Sequence, residues 1–286
     1  MAKPVAQVLD MPARPSADII AALGAHAVSH LADALRRPDG ATGELRPRHR
    51  AGGLCGPAFT VRLPPGDNLF VQRAVDLAQP GDVIVVDVGG STDVAVVGDI
   101  VSAWAAKRGV AGFVIDGAVR DLADISTHDL PVYARGISPK GPTRVGPGEI
   151  NVPVVVGGMA VRPGDIIVGD VDGLVVVRPE DVERALAGAG QLRTREGETH
   201  AQIAAGTLDR SWAETAVAAC LEEARPEPLH RGPADLDRVV AKRVLRGVRG
   251  RPLLADVDAA GEADLAVHDQ DLAVIAAVQA LQPKEP

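Results

Sequence analysis

Aromatic side chains are almost missing from this chain, with three Phe, two Trp and one Tyr among 286 residues. A core that cannot draw on large rings must be assembled from small and β-branched side chains, and Ala, Val and Gly are abundant. Cysteine is scarce too: Cys55 and Cys220 lie far apart and match no metal-ligand spacing, so they read as two free thiols in a reducing cytoplasm. Positive charge is short, with a net charge of −8, and no Lys/Arg cluster is interleaved with aromatics. The electrostatic footprint of a nucleic-acid binder is therefore absent. No apolar run approaches the roughly 20 residues that span a bilayer, and no basic region leads into an apolar run with a cleavage site at the N-terminus. The expectation is a soluble cytoplasmic protein with no nucleic-acid or membrane partner.

What is present fits a globular chain: 46% hydrophobic and 24% charged residues, enough length for one large domain or a medium domain with an appendage. Residues 1–17 carry prolines without a sustained period and read as an arm. From Asp18 to Arg37, Ile19, Ile20, Leu23, Ala27, Leu31 and Leu35 recur at helical spacing, predicting one or two amphipathic helices. Strand and helix patterns then alternate: strand 56–63, helix 68–78, strand 83–88, helix 99–108, strand 112–116, a short helix after Arg120 and strand 131–136. That order predicts parallel strands with right-handed crossovers. After Pro139, short Val/Ile runs broken by Gly, Pro and Asp predict hairpins and an antiparallel layer. A charged helical stretch covers 180–206, a Pro-rich passage 224–233, and two further helices are expected around 234–246 and 269–281. The domain reading is an arm (1–17), a catalytic domain (18–210) and a mainly helical C-terminal extension (211–286).

Gly-Asp pairs occur five times, at Gly66, Gly81, Gly98, Gly164 and Gly169. Most read as turns that start strands. The pair Gly98-Asp99 differs, because Arg120-Asp121 follows after twenty intervening residues, the length of one helix, one turn and one strand. If the strands before the two pairs are parallel neighbours, both pairs reach the crevice beyond the carboxyl ends of the sheet, where open α/β folds bind ligands. Two carboxylates, a guanidinium and the free N–H groups of Ile100 and Val101 would then converge, a workable site for an anionic oxo acid on a divalent ion. Taken singly, Asp99 reads as a helix N-cap and Arg120-Asp121 as a solvated ion pair.

These residues resemble the RraA-like superfamily of class II, metal-dependent pyruvate aldolases, which includes 4-hydroxy-4-methyl-2-oxoglutarate/4-carboxy-4-hydroxy-2-oxoadipate aldolases with oxaloacetate decarboxylase activity. The signature of its catalytic members is Gly-Asp (or Gly-Glu), twenty residues, then Arg-Asp. Segments "RGVAGFVIDGAVRDL", "PVYARGISPKGP" and "VRPGDIIVGDVDGLVVVRPEDV" resemble the family as well, over roughly Asp18–Gly206. The resemblance implies an α/β/β swivelling-domain sandwich with a parallel βαβ portion and an antiparallel layer. It implies that Asp121 ligates Mg²⁺ or Mn²⁺, that Arg120 contacts the pyruvyl carbonyl and stabilises the enolate, and that the Ile100 and Val101 amides beside Gly98 bind the substrate carboxylate. Asp99 would orient a water for proton transfer, and a glutamate from a neighbouring subunit, Glu196 or else Glu198, would complete the site in a homotrimer or homohexamer. The implied reaction is cleavage of the C3–C4 bond of a 2-oxo acid through a pyruvate enolate. Non-catalytic members of the family regulate ribonuclease E and have lost the Asp of the Arg-Asp pair, which this chain keeps. A regulatory interaction protein, or a different biosynthetic reaction at the same site, is the alternative.

Other candidates read as structural. Asp170-Val171-Asp172-Gly173 lacks the full calcium-loop pattern and predicts a hairpin turn. His26 and His30, one helical turn apart with no third ligand, read as helix-packing residues, and Cys55 has no His partner near it in sequence.

Overall fold

A computed structural model of the protein describes residues 6–36, 41–50 and 52–223. Its contacts divide the chain into two compact units, Met1–Leu208 and Asp209–Pro286. In the first unit the arm contributes β1 (Gln7–Val8), and the amphipathic segment resolves into α1 (Ala17–Gly24) and α2 (Val28–Leu35). Short strands β2 (Ala41–Thr42) and β3 (Arg46–Pro47) lead to the long β4 (Leu54–Arg62). Next come α3 (Leu69–Leu77), β5 (Val83–Asp87), β6 (Ala95–Val97), α4 (Asp99–Lys107), β7 (Gly112–Val119), α5 (Leu122–Ile125) and β8 (Val132–Ile137). The β-rich stretch holds β9 (Glu149–Ile150), β10 (Val154–Val156), β11 (Met159–Val161), β12 (Ile166–Gly169) and β13 (Leu174–Val177), followed by α6 (Val182–Ala205). In the second unit α7 spans Ser211–Glu223; the linker expected at 224–233 and the helices expected beyond it lie outside the described residues.

The central strands β4, β5, β7 and β8 pair in parallel, as the alternation predicts. On the other side of β4 the pairing turns antiparallel, with β12, β13 and β2 in succession. Residues of alternate parity on the central strands feed two different cores, because successive side chains leave opposite faces. Phe59, Val61, Ile84, Val86, Phe113 and Ile115 meet Val71, Ala74 and Val75 of α3 and Val101 and Ala105 of α4. Ala58, Val83, Val85, Val114 and Tyr133 meet Val154, Val156, Met159 and Val161 of the separate β10–β11 hairpin. The result is an α/β/β sandwich. It also explains why β4 is buried along nearly its whole length: the hairpin covers its second face. A third cluster packs α1, α2 and α6 against β12 and β13. The tryptophans take little part: Trp104 is 50% and Trp212 67% exposed.

The arm is tied down. β1 pairs in parallel with β9, and Arg14 donates to both carboxylate oxygens of Asp82 at 2.7 Å. Asp82 belongs to one of the Pro-Gly-Asp turns. In both such turns glycine is at positive φ (Gly81 at 90°, Gly164 at 86°) and the Asp N–H donates to the carbonyl three residues back. That is a type II turn with Pro and Gly in its central positions, shared by Gln79–Asp82 and Arg162–Asp165.

Among the Gly-Asp pairs, Asp67 does the most cross-linking. Its carboxylate accepts from the N–H groups of Leu69, Val145 and Gly146 and from the Thr143 hydroxyl, joining the start of α3 to the loop after β8. Burial would raise its pKa, but these four hydrogen bonds prevail and hold the carboxyl below its ordinary value. Their stabilisation is therefore present above the unfolded pKa of about 3.9 and is lost as pH falls through the lower folded value. Asp67→Asn is expected to cost about 1–3 kcal/mol at neutral pH, with the gap to the parent protein narrowing at about pH 3; urea unfolding at both pH values checks this.

Candidate active site

Strand β6 decides where the two dipeptides sit. It pairs in parallel with the end of β7, with Val97 opposite Val119, and the Arg120 N–H donates to the Val97 carbonyl at 3.1 Å. Gly98-Asp99 and Arg120-Asp121 therefore leave adjacent strand ends side by side. From sequence, strand 83–88 is followed by a Gly/Ser loop, "GGSTD" at 89–93, with helix 99–108 as the next element, and β7 ends at 116; the structure adds β6 and extends β7 to Val119. The register between β6 and β7 shifts between Ala95 and Val97, and that between β7 and β8 shifts between Ile115 and Ala118. Such irregularities turn side chains at the ends of strands and recur beside active sites.

Gly98 is the N-cap of α4, with extended backbone at φ −140°, and Asp99 is the first helical residue. The reading of Asp99 alone as an N-cap is thus corrected, because its carboxylate is engaged elsewhere. The His128 imidazole donates from Nε2 to Asp99 Oδ1 at 2.7 Å. A carboxylate only accepts, so Nε2 carries the proton. The Asp99 N–H donates to Asp121 Oδ2 at 3.2 Å, and Arg120 Nε lies 3.3 Å from the same oxygen. Ser102 N–H closes the first helical turn on the Gly98 carbonyl. The Ile100 and Val101 N–H groups have no acceptor among the described residues, as expected of the first turn of a helix.

Asp121 has left-handed backbone, φ 58° and ψ 42°, one of three non-glycine residues at positive φ among the described residues. Asp tolerates this region better than most residues. The cluster also depends on two missing side chains. A Cβ on Gly98 would lie 2.5 Å from Asp121 Oδ2 and 3.1 Å from Arg120 Nε, and a Cβ on Gly141 would lie 2.7 Å from Arg120 Nη1. The Arg120 guanidinium thus lies between two glycines, half-exposed beside its carboxylate.

Glu196 lies on α6 and accepts from His30 Nε2 on α2 at 2.7 Å. Neither it nor the exposed Glu198 makes a hydrogen bond to the Asp99–Arg120–Asp121 cluster within one chain. The other candidates have structural partners. Asp170 Oδ2 accepts the Val28 N–H at the start of α2, and Asp170 Oδ1 accepts the Asp172 N–H within the β12–β13 turn. The Cys55 thiol donates to the Ile20 carbonyl at 3.2 Å, and burial pushes its pKa to about 11, far from a thiolate at neutral pH. His128 is the residue that sequence reasoning passes over. It stands alone in "STHDL", with no spacing or partner to mark it.

The sequence model of the RraA-like family, described as Aldolase/RraA, matches residues 28–176, more than half of the chain. The chain belongs to the RraA-like family. The matched segment contains every member of the cluster and stops short of Glu196. A protein of Halalkalibacterium halodurans, named as a candidate 4-hydroxy-4-methyl-2-oxoglutarate aldolase, is 39% identical over 132 residues, 46% of this chain and 63% of the relative. An Arabidopsis thaliana protein of the same designation is 38% identical over 107 residues, 37% of this chain and 64% of the relative. The chain thus matches under two thirds of the length of these curated relatives. Two solved structures share the fold at 26% identity. An uncharacterized protein from Pseudomonas syringae pv. tomato covers 70% of this chain and 96% of its own, with a TM-score of 0.61. Streptomyces coelicolor RraAS2, described as an unusual member of the RNase ES inhibitor RraA protein family, covers 66% and 98%, with a TM-score of 0.60. No described helix is long and apolar enough to cross a membrane.

Because Gly98 leaves no room for a methyl group, Gly98→Ala is expected to displace the Asp121 carboxylate and break its bond to the Asp99 N–H while the sandwich still folds. A crystal structure of the variant checks this, and an unmoved carboxylate would contradict it.

Proposed function

We propose that this chain is a divalent-metal-dependent lyase that cleaves the C3–C4 bond of a 2-oxo acid. The bond is broken either by retro-aldol reaction of a 4-hydroxy-2-oxo acid or by decarboxylation of oxaloacetate. The observation that carries the proposal is Asp121, set beside Arg120 and against the start of α4 in one cluster of opposite charges. The relatives named as candidate 4-hydroxy-4-methyl-2-oxoglutarate aldolases support the same reaction class.

The donor set suits a hard, water-rich cation. Asp121 Oδ1 accepts no hydrogen bond among the described residues, and no three His, Cys, Asp or Glu side chains converge to hold a metal there. A carboxylate oxygen left open in this way is the donor type that Mg²⁺ or Mn²⁺ would take. Asp121 would hold the ion, which supplies Lewis-acid polarisation of the C2 carbonyl when bound.

The chain's own groups do the rest. The Ile100 and Val101 N–H groups at the positive end of α4 receive the substrate carboxylate and orient C2. Arg120 donates to the C2 oxygen and stabilises the charge that develops there as the C3–C4 bond breaks. In the retro-aldol direction Asp99 orients a water that takes the C4 hydroxyl proton, whereas loss of CO₂ from oxaloacetate needs no such base. Glu196 or Glu198 of a neighbouring copy would complete the site in a trimer or hexamer. RraAS2 keeps a second reading in view, a non-catalytic interaction protein, for which no metal-dependent turnover is expected.

The test is release of pyruvate from oxaloacetate and from 4-hydroxy-4-methyl-2-oxoglutarate, with Mg²⁺ or Mn²⁺ and with EDTA. Turnover is expected only with metal, and Asp121→Ala should abolish it; near-normal activity in a folded Asp121→Ala protein would remove the assignment. Arg120→Lys, which keeps the charge but not the planar fork, should lower kcat/KM by about 10²-fold. Unchanged decarboxylation would make Arg120 structural.

A further inference from the structure

We infer that His128 is a positioning residue for Asp99, governing the proton-transfer arm of the reaction; this rests on the lyase reading above. Its backbone is fixed: the His128 N–H donates to the Ile125 carbonyl at 3.1 Å, and the flanking Ile125 and Leu130 are buried. From that turn the ring reaches back to α4 and donates to Asp99 Oδ1. Asp99 Oδ2 and His128 Nδ1 have no partner among the described residues.

A carboxylate at the first position of a helix swings on two torsions. Held by His128 at Oδ1, and by its own N–H to Asp121 Oδ2, Asp99 has one defined orientation. Its Oδ2 is left free to carry the water. The Asp99 and His128 side chains are 37% and 23% exposed, so the pair contributes little to stability. Its consequence is geometric: a proton carrier that is misplaced loses much of the 10²–10⁴-fold that general acid–base catalysis contributes.

The inference separates two half-reactions of one site. In exchange at pyruvate C3, a proton passes from the methyl group to the water on Asp99 while the C–H electron pair moves toward C2 and the carbonyl pair onto its oxygen. Return from D₂O places a deuteron on C3. In oxaloacetate decarboxylation the C3–C4 electron pair flows toward C2 as CO₂ departs, so no proton has to be removed; the enolate then takes one proton at C3 from water to give pyruvate. A loss of positioning must therefore fall more heavily on exchange.

The experiment compares the full-length parent with His128→Ala, His128→Gln and Asp121→Ala. It follows C3 deuterium incorporation into pyruvate by NMR and decarboxylation of oxaloacetate, both with Mn²⁺. In His128→Ala the ratio of exchange to decarboxylation should fall about tenfold or more, mainly in kcat. His128→Gln, which keeps an N–H donor, should restore it to within about threefold. Metal-free His128→Ala should melt within about 5 °C of the parent. Equal losses in both half-reactions, an unchanged ratio, failure of Gln to restore it, or a larger drop in melting temperature would overturn the inference. Asp121→Ala should lose both half-reactions; if it retained them, the lyase reading itself would fall.

Discussion

The hydrogen bond from the Arg120 N–H to the Val97 carbonyl, at 3.1 Å, is the contact on which the site depends. It is the last rung of the β6–β7 ladder, and it joins two dipeptides twenty residues apart. Beyond that rung the two chains diverge into helices. α4 leaves through Gly98, whose missing side chain lets the Asp121 carboxylate come close, and α5 leaves through the left-handed Asp121. Replacing either end of that rung with a longer or looser connection would separate the guanidinium, the two carboxylates and the free helix-start N–H groups.

The scarcity of aromatics and the depth of the sandwich are two sides of one solution. With few rings available, both faces of the central strands are filled by Val, Ile and Ala, and each face needs its own cover. Helices α3 and α4 supply one cover and the β10–β11 hairpin the other. The first cover also presents the start of α4 to the strand ends, so the helix that closes a core brings the N–H groups of Ile100 and Val101 to the site. The loop after β8, fastened to α3 through Asp67, brings Gly141 against the Arg120 guanidinium.

Much of this is legible in the sequence. The 3.6-residue and unbroken apolar periods mark α3, α4, β5 and the core of β7, and the spacing from Gly98-Asp99 to Arg120-Asp121 marks four residues that the fold brings together. Three features are not legible, each for a physical reason. Strand β6 has three residues, too few for a period, and follows a Gly/Ser/Thr run that reads as loop. The docking of the arm depends on backbone pairing between β1 and β9 and on Arg14 meeting Asp82, which are long-range contacts with no local signature. His128 meets Asp99 through a single side-chain bond formed only when α5 turns back toward α4. Nor does local pattern decide between Glu196 and Glu198, because the role proposed for either is played from another copy of the chain.

The central claim is that Asp121 and its neighbours make one metal-dependent site for a 2-oxo acid. The most direct measurement is binding rather than turnover: Mn²⁺ titrated into the metal-free protein and followed by electron paramagnetic resonance, with and without pyruvate, in the parent and in Asp121→Asn. The account predicts a single Mn²⁺ site per chain in the parent, tightened by pyruvate and lost in the variant. Equal binding in the two proteins, or binding indifferent to pyruvate, would contradict it.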